Sequence, residues 1–415
     1  MNLANELRIA VISPFVDRRH GTERVLAEQL NRLANFAGIQ IHLYAQRVDG
    51  ITVVKSSGKS ELESCGIIWH QVPALPGPHL LQYLWWFVAN SLNRAADRIR
   101  GKLSADVIFS PGINALNADV IAVHIVFHAF YAQVIEQLRL RNAPVRSWAR
   151  RLHRRFYYRC IMALENRIYR NPRVRLLPVS QLVAKQIREC FGRTDVHVIP
   201  NGVSVEEFHP AARGSRRFEA RREFQLLPEN IALLLIGNDW VKKGLRCLLR
   251  AVALCADPNL RLLVVGKDDP ALFAGDIMNP LVRNAVRFLP PRDDVLVYYA
   301  AADVYAGPSL EDAFGMPILE AMACGLPVIA SSFAGASEAI DDGANGMILR
   351  EPQSAEELAA KIGILASDES LRNRLSAAAA ETARNYSWDK NAALLRDVLL
   401  RAAQKNKETI AEMAG

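Results

Sequence analysis

The sequence predicts an α/β chain built from two doubly wound, mainly parallel sheets, one in each half. Three observations carry this. The chain has 415 residues, half of them hydrophobic, which is enough for two cores of about 200 residues each. Short apolar runs rich in β-branched residues alternate with longer stretches whose apolar positions recur at helical spacing. This alternation is interrupted once by a polar, basic stretch and then restarts, so the order of elements reads as two copies of one layered plan.

In the first half, "LRIAVISPF" (7–15) reads as a buried strand. A loop and "TERVLAEQLNRLANFAG" follow, the latter a periodic helix ending toward Gly38. Further strands are "IQIHLYA" (39–45), "DVIFSPG" (106–112), "VIAVH" (120–124) and "RLLPVS" (175–180). Strands separated by helices imply parallel pairing with both faces covered. The stretch "AARGSRRFEARREF" (211–224) is read as the inter-domain connector. Beyond it come "IALLLIGND" (231–239), "LRLLVVGKD" (260–268), "VRFLPP" (286–291), "DVYAGPS" (303–309), "PVIASS" (327–332) and "GMILRE" (346–351), all strand-like. Ser354 with Glu357 three residues later is a capping box opening a late helix. The domains expected are 1–205 and 206–389.

Composition narrows the setting. The six cysteines are scattered, without a C-x-x-C pair or a histidine tract, so neither a disulfide framework nor a zinc site is indicated. The N-terminus "MNLANELRIAVISPF" lacks the basic-then-apolar profile of a secretory signal, and a cytoplasmic location is expected. The most apolar stretch, "HLLQYLWWFVANSL" (79–92), is interrupted by Gln82 and Asn90. It falls short of the ~20 residues that span a bilayer. Net charge is +8, and between Arg139 and Arg175 Glu165 is the only acid. Such a segment can be a solvated face, an anionic-membrane contact or a nucleic-acid contact. Trp148, Phe156, Tyr157 and Tyr158 interleaved with Arg150, Arg151, Arg154 and Arg155 favour an anionic membrane or acceptor over nucleic acid.

The stretch "EDAFGMPILEAMACGLPVIAS" (311–331) holds the chemistry. A strand ends near Pro308, and a short helix begins at Pro317, whose missing N–H costs nothing in the first turn. Gly325 and Pro327 stop that helix. It lies at the carboxyl end of a parallel strand, where doubly wound sheets bind ligands, and its N-terminus suits a phosphate. Asp312 precedes the helix and Glu320 lies in its first turn. Carboxylates flanking a phosphate site are suited to accept hydrogen bonds from neutral hydroxyls. A nucleotide diphosphate sugar has hydroxyls at both ends.

At these residues the chain resembles glycosyltransferase family 4. "PSLEDAFGMPILEAMACGLPVIAS" is similar to that family's E-x7-E donor signature. Supporting pieces are "HGTERVLAEQL", "VIAVH", "VSQLVAKQIRECFGRTDVHVIPNGVSVEEFHP", "IGNDWVKKGLRCLLRAV", "YYAAADVYAGPS" and "YSWDKNAALL". The resemblance implies the GT-B fold, with two Rossmann-like domains facing a cleft. It implies an acceptor-binding first domain, a donor-binding second domain and a last helix, about 390–410, that packs back on the first. It further implies retaining, metal-independent transfer of a hexose, in the manner of lipopolysaccharide-core or lipid-linked glycan enzymes. No cofactor is expected beyond the nucleotide diphosphate sugar as co-substrate. UDP-sugar is the favoured donor and GDP-sugar the alternative.

By this resemblance Glu320 binds the ribose, while the backbone at Phe314, Gly315, Met316 and Pro317 approaches donor sugar and diphosphate. Lys243 neutralises the departing diphosphate and His124 faces the donor sugar. The first acid of the signature falls on Asp312, one methylene shorter than glutamate, with adjacent Glu311 as the alternative. Asn238 stands where the family often has arginine, leaving Lys242 as the second phosphate cation. The N-terminal loop is His20-Gly21 where two glycines are usual. Two rival readings are a non-catalytic nucleotide-sugar-binding scaffold and an enzyme like the UDP-N-acetylglucosamine 2-epimerases. Plainer readings also exist: Glu320 as a solvated helix acid, Lys242 and Lys243 as surface lysines, and His124 as a structural histidine.

Overall fold

A computed structural model describes residues 7–18, 21–56, 66–101, 105–131 and 148–414, with the side chains of 148–154, 410, 413 and 414 excepted. The chain divides into two units, residues 1–199 with 391–415, and residues 200–390.

The first unit is a seven-stranded sheet whose spatial order is Val54–Lys55, Ile67–Gln71, Ile39–Ala45, Leu7–Ile12, Val107–Pro111, Val120–Val123 and Arg175–Pro178. Every neighbouring pair is parallel. The central strands are largely apolar because helices cover both faces: Ile9, Val11, Ile41, Leu43, Val107, Phe109 and Val120 are all inaccessible. The helix Trp388–Ala414 closes this core with Leu395, Val398, Leu399, Ala402 and Ala403. Burying each of its leucines contributes about 1.5–3 kcal/mol.

The second unit is a six-stranded parallel sheet in the order Val286–Leu289, Leu260–Val265, Ile231–Ile236, Val304–Gly307, Val328–Ser331 and Met347–Leu349. Both sheets are therefore Rossmann-like, as the alternating pattern requires. The division falls at 199/200, ahead of the expected 205/206. Val203 donates its N–H to Tyr386 O (2.8 Å), and Gly202 packs so tightly that a Cβ would lie 2.6 Å from Trp388 N. Those contacts tie residues 202–203, ahead of the expected connector, to the end of the second unit.

Three expectations need correction. The stretch read as a connector is the helix Pro210–Glu223, fixed within the second unit. Its arginines do not coat a linker. Arg213 donates to Tyr299 O (3.2 Å), Ala302 O (2.8 Å) and Gly325 O (3.3 Å), while Arg217 and Arg221 both pair with Asp303. Guanidinium groups thus satisfy carbonyls left over at the end of the 296–301 helix. Burial lowers the pKa of Arg213 to about 10. The second correction concerns the capping box: Ser354 accepts from Glu357 N–H (3.1 Å), but the Glu357 carboxylate accepts from Arg350 and Glu351 N–H instead of reaching back to Ser354. The third is local. The first helix, Gly21–Leu33, ends before Gly38, which takes φ +77° in the turn leading into the next strand.

The first unit also buries a polar set. His42 Nδ1 lies 2.9 Å from His70 Nε2, His70 Nδ1 lies 2.7 Å from Asp97 Oδ2, and Tyr44 OH donates to Asp97 (3.0 Å). Burial first, then His70 and Arg8, lowers the His42 pKa from 6.5 to about 4, with Asp97 opposing. In the window between those values the unfolded chain binds more protons than the folded one. Stability is therefore full above about pH 6.5 and falls as pH drops toward 4, by about 2 kcal/mol at pH 5 from this histidine. Melting temperature measured from pH 7.5 to 4.5 should fall less steeply in His42→Leu than in the wild type. An identical slope would remove His42 from the account.

Candidate active site

In the second unit the strand Val304–Gly307 delivers the chain to a loop that leads into the helix Met316–Ala323. Gly315 caps that helix with φ +88°, so its amide end starts one residue earlier than expected and Pro317 is its second residue. Glu320 accordingly opens the second turn instead of sitting in the first. At the other end Leu326 N–H bonds Ala321 O and Gly325 N–H bonds Met322 O, each 2.9 Å, with Gly325 left-handed at φ +67°. This paired closure is why the helix stops where Gly325 stands.

The loop is stitched to its surroundings by backbone contacts. Leu310 N–H donates to Lys242 O (2.7 Å), Asp312 N–H to Phe333 O (2.9 Å) and Gly335 N–H to Asp312 O (3.0 Å). The second wall is the turn after the strand Ile231–Ile236, running from Gly237 to Gly244, before the helix Leu245–Cys255. Gly237, at φ +143°, leaves room for the Lys243 stem; a Cβ there would lie 2.8 Å from Lys243 Cε. The Lys243 ammonium is thereby aimed at Asp312, and its Nζ forms an ion pair with Asp312 Oδ2. Both side chains are less than one-fifth exposed. Phe314 N–H also reaches Asp312 Oδ1 (3.3 Å).

Glu320 is buried, and Tyr299 OH donates to its Oε2 at 2.7 Å. Tyr299 is itself fully buried, and burial followed by the Glu320 charge holds its phenol well above the ordinary range. The hydroxyl therefore stays a donor and fixes one rotamer of the carboxylate. Tyr299 stands in the quoted "YYAAADVYAGPS" stretch, yet sequence reasoning gave it no role. Its one signal was position, at the end of the helix before the strand that leads to the loop.

The remaining residues are placed as follows. Asn238 Oδ1 accepts from Lys267 N–H (3.1 Å), so this uncharged side chain joins two strand ends. Lys242 Nζ lies 4.0 Å from Asp239 Oδ2. Glu311 is half-buried beside Asp312, and Met316 and Pro317 are half-buried at the helix start. In the first unit Gly21 opens its helix with no atom within 4 Å of where a Cβ would lie. His124 follows the strand Val120–Val123 and is half-buried, with burial lowering its pKa to about 4. It is therefore neutral at pH 7. Three residues on, the 127–131 turn of helix is held by the fully buried Glu165, which accepts from Phe127 N–H (2.6 Å), His128 N–H (3.0 Å) and His128 Nδ1 (2.6 Å). The one acid in the arginine-rich segment thus braces the chain next to His124. His20 and the side chains of Arg150, Arg151 and Arg154 lie outside the described residues; Arg155 is exposed.

Two Rossmann-like units, with an acid-flanked helix end and a lysine turn in the second, define the class as GT-B. Comparison with solved structures agrees: WaaG, a glycosyltransferase involved in lipopolysaccharide biosynthesis, superposes with TM-score 0.72 at 20% identity, covering 94% of this chain and 99% of that one. Anabaena HepE, crystallised with UDP and glucose, gives TM-score 0.66 at 20% identity over 98% and 100% of the two chains. The family described as glycosyl transferases group 1 matches residues 217–382, and Glycosyltransferase Family 4 matches 19–207. Between them the two glycosyltransferase models match residues 19–207 and 217–382, most of this chain. Among curated relatives, the D-inositol 3-phosphate glycosyltransferase of Actinosynnema mirum is 33% identical over 249 residues, 53% of this chain and 58% of the relative. That of Streptomyces bingchenggensis is 34% identical over 244 residues, 55% of this chain and 53% of the relative. The chain spans about half the length of the curated relatives it matches.

Proposed function

We propose that this chain is a retaining, metal-independent hexosyltransferase. It takes a hexose from a nucleotide diphosphate sugar, a UDP-sugar first and a GDP-sugar as alternative, to a hydroxyl of a glycan or lipid-linked acceptor. The setting is cell-envelope polysaccharide or lipopolysaccharide synthesis at the cytoplasmic side of the membrane. The observation that carries the reading is the placement of Lys243 and Asp312 in contact beside the amide end of the 316–323 helix. The UDP complexes of HepE and the lipopolysaccharide role of WaaG support the donor and the setting.

The mechanism follows from where charge develops. Breaking the glycosidic bond to the diphosphate leaves negative charge on phosphate oxygens and positive charge at the anomeric carbon. Lys243, seconded by Lys242 and the backbone N–H groups of Gly315 and Met316 at the helix start, stabilises the first, supplying the positive charge for which other transferases use a metal. Asp312 and the backbone at Phe314 orient the sugar hydroxyls. Glu320, held by Tyr299, takes the ribose. The leaving phosphate oxygen receives the acceptor proton on the same face, and His124, being neutral, can hydrogen-bond the sugar without charge. Asp312 orients the sugar and does not attack it.

A thermal-shift screen of nucleotides and nucleotide sugars tests this. A ligand at a hundred times its Kd adds about 2.7 kcal/mol. One UDP- or GDP-sugar should stabilise the wild type, Glu320→Ala should lose the response, and Tyr299→Phe should weaken it about tenfold through one lost hydrogen bond. Donor binding without hydrolysis or transfer over a broad acceptor panel would instead favour a non-catalytic binder.

A further inference from the structure

The helix His79–Ile99 is built inside out for a surface helix. Its inner face carries polar groups among Trp86 and Phe87: Asn90 bonds Trp86 O (2.7 Å) and Asp97 receives Tyr44 OH and meets His70. Its outer face carries Leu81, Leu84, Val88, Leu92, Ala95 and Ile99, spaced three or four residues apart along one line. The five large ones are 46–87% exposed. Surface helices ordinarily put this stripe on the core. A contiguous apolar line left outside marks a contact with something apolar.

Charge selects the occupant. The helix has no exposed acid, since its one carboxylate, Asp97, is buried, whereas Arg98 and Arg100 are exposed at its carboxyl end. The neighbouring helix, Trp148–Tyr169, touches it through Tyr157, whose ring lies 6.0 Å from that of Tyr83. There Arg155, Arg159 and Phe156 are exposed. A second copy of this chain would call for complementary charges beside the seam. Gln82, Ser91 and the two arginines do not provide them. An apolar line with arginines at its end and aromatics nearby instead matches the interface of an anionic bilayer. We infer that the outer face of the 79–99 helix lies in the headgroup region of an anionic lipid membrane, as an in-plane anchor. This places the membrane contact on a helix that the sequence marks only as too short to span. It goes beyond the proposed activity and requires neither donor nor transfer.

The test is sedimentation of the full chain with vesicles of phosphatidylcholine alone, or with about one-third phosphatidylglycerol. The wild type should pellet with the anionic vesicles and stay in solution with the neutral ones. Leu84→Gln with Leu92→Gln should cut that partition at least about tenfold, and Arg98→Gln with Arg100→Gln about fivefold per charge. Both variants should keep the wild-type melting temperature and any donor-induced shift, which separates this proposal from the glycosyltransferase reading. Four results would each overturn it: equal binding to both vesicle types, no binding to either, a lowered melting temperature in the leucine variant, or a wild-type dimer that the leucine variant dissociates.

Discussion

Lys243→Met should lower the rate of sugar transfer about 10²–10³-fold while leaving the second unit folded, the size expected when one preorganised donor to a developing anion is lost. The ligand-free arrangement makes this more than a charge count. Lys243 is held against Asp312, with its stem packed over Gly237. Incoming diphosphate must draw the ammonium away from the carboxylate, or share it. The two partners should therefore behave differently. In Lys243→Met the turnover number falls and Asp312 is left with other donors, such as Phe314 N–H at 3.3 Å. In Asp312→Asn the ammonium is freed for phosphate, so nucleotide diphosphate alone should bind at least as well, while transfer drops because the sugar is no longer oriented. Lys243→Arg should rescue poorly, because the side chain runs close over Gly237, where a Cβ would lie 2.8 Å from Lys243 Cε, and the broader guanidinium does not reproduce the compact ammonium. Were the pair a plain structural salt bridge, both substitutions would lower the melting temperature slightly and leave turnover within a few-fold of wild type. Steady-state kinetics of the two single variants and the double variant would separate these cases.

Much of this arrangement was readable in the sequence, for a physical reason. Parallel strands covered on both faces are apolar at most positions, so "IALLLIG" or "VIAVH" stand out without alignment. Turns that need a left-handed residue also announce themselves, as Gly325 does. What escaped has partners that no local pattern encodes. The short strands Val54–Lys55 and Ile67–Gln71 lie toward one edge of the first sheet, and the first of them is half-exposed and carries a lysine. The helix Pro210–Glu223 buries only Ala220, and its arginines serve carbonyls some 80 residues away in sequence, so its composition passes for a linker. Tyr299 and Glu165 escaped likewise: each acts through one contact with a residue 21 or 37–38 positions away. The acid pair and the glycine before Met316 were recognisable because they fall together within residues 311–320, and the lysine turn because it follows another buried strand of the same sheet.

Gly244→Ala should be the most damaging small substitution in the second unit. Two costs combine there. Gly244 sits at φ +75°, left-handed backbone that costs a side-chain-bearing residue about 1–2 kcal/mol. An added Cβ would also fall 1.9 Å from Pro308 O and 2.8 Å from Pro308 C, both backbone atoms that cannot swing aside. Relieving that overlap means separating the 237–244 turn from the 308–312 loop, which costs a further 1–3 kcal/mol or about that. A total of about 2–5 kcal/mol corresponds to a fall of about 4–20 °C for a unit of this size. Gly343→Ala in the same unit is the matched control. It has φ +81° but nothing within 4 Å of a Cβ, so it bears only the backbone cost. The difference between the two variants in melting temperature isolates the steric part. Because the same turn and loop carry Lys243 and Asp312, whatever fraction of Gly244→Ala folds should also lose its response to nucleotide sugar, and Gly343→Ala should keep it. Equal melting temperatures for the two would mean that the turn and loop can part freely, and the site would then not be preorganised by their contact.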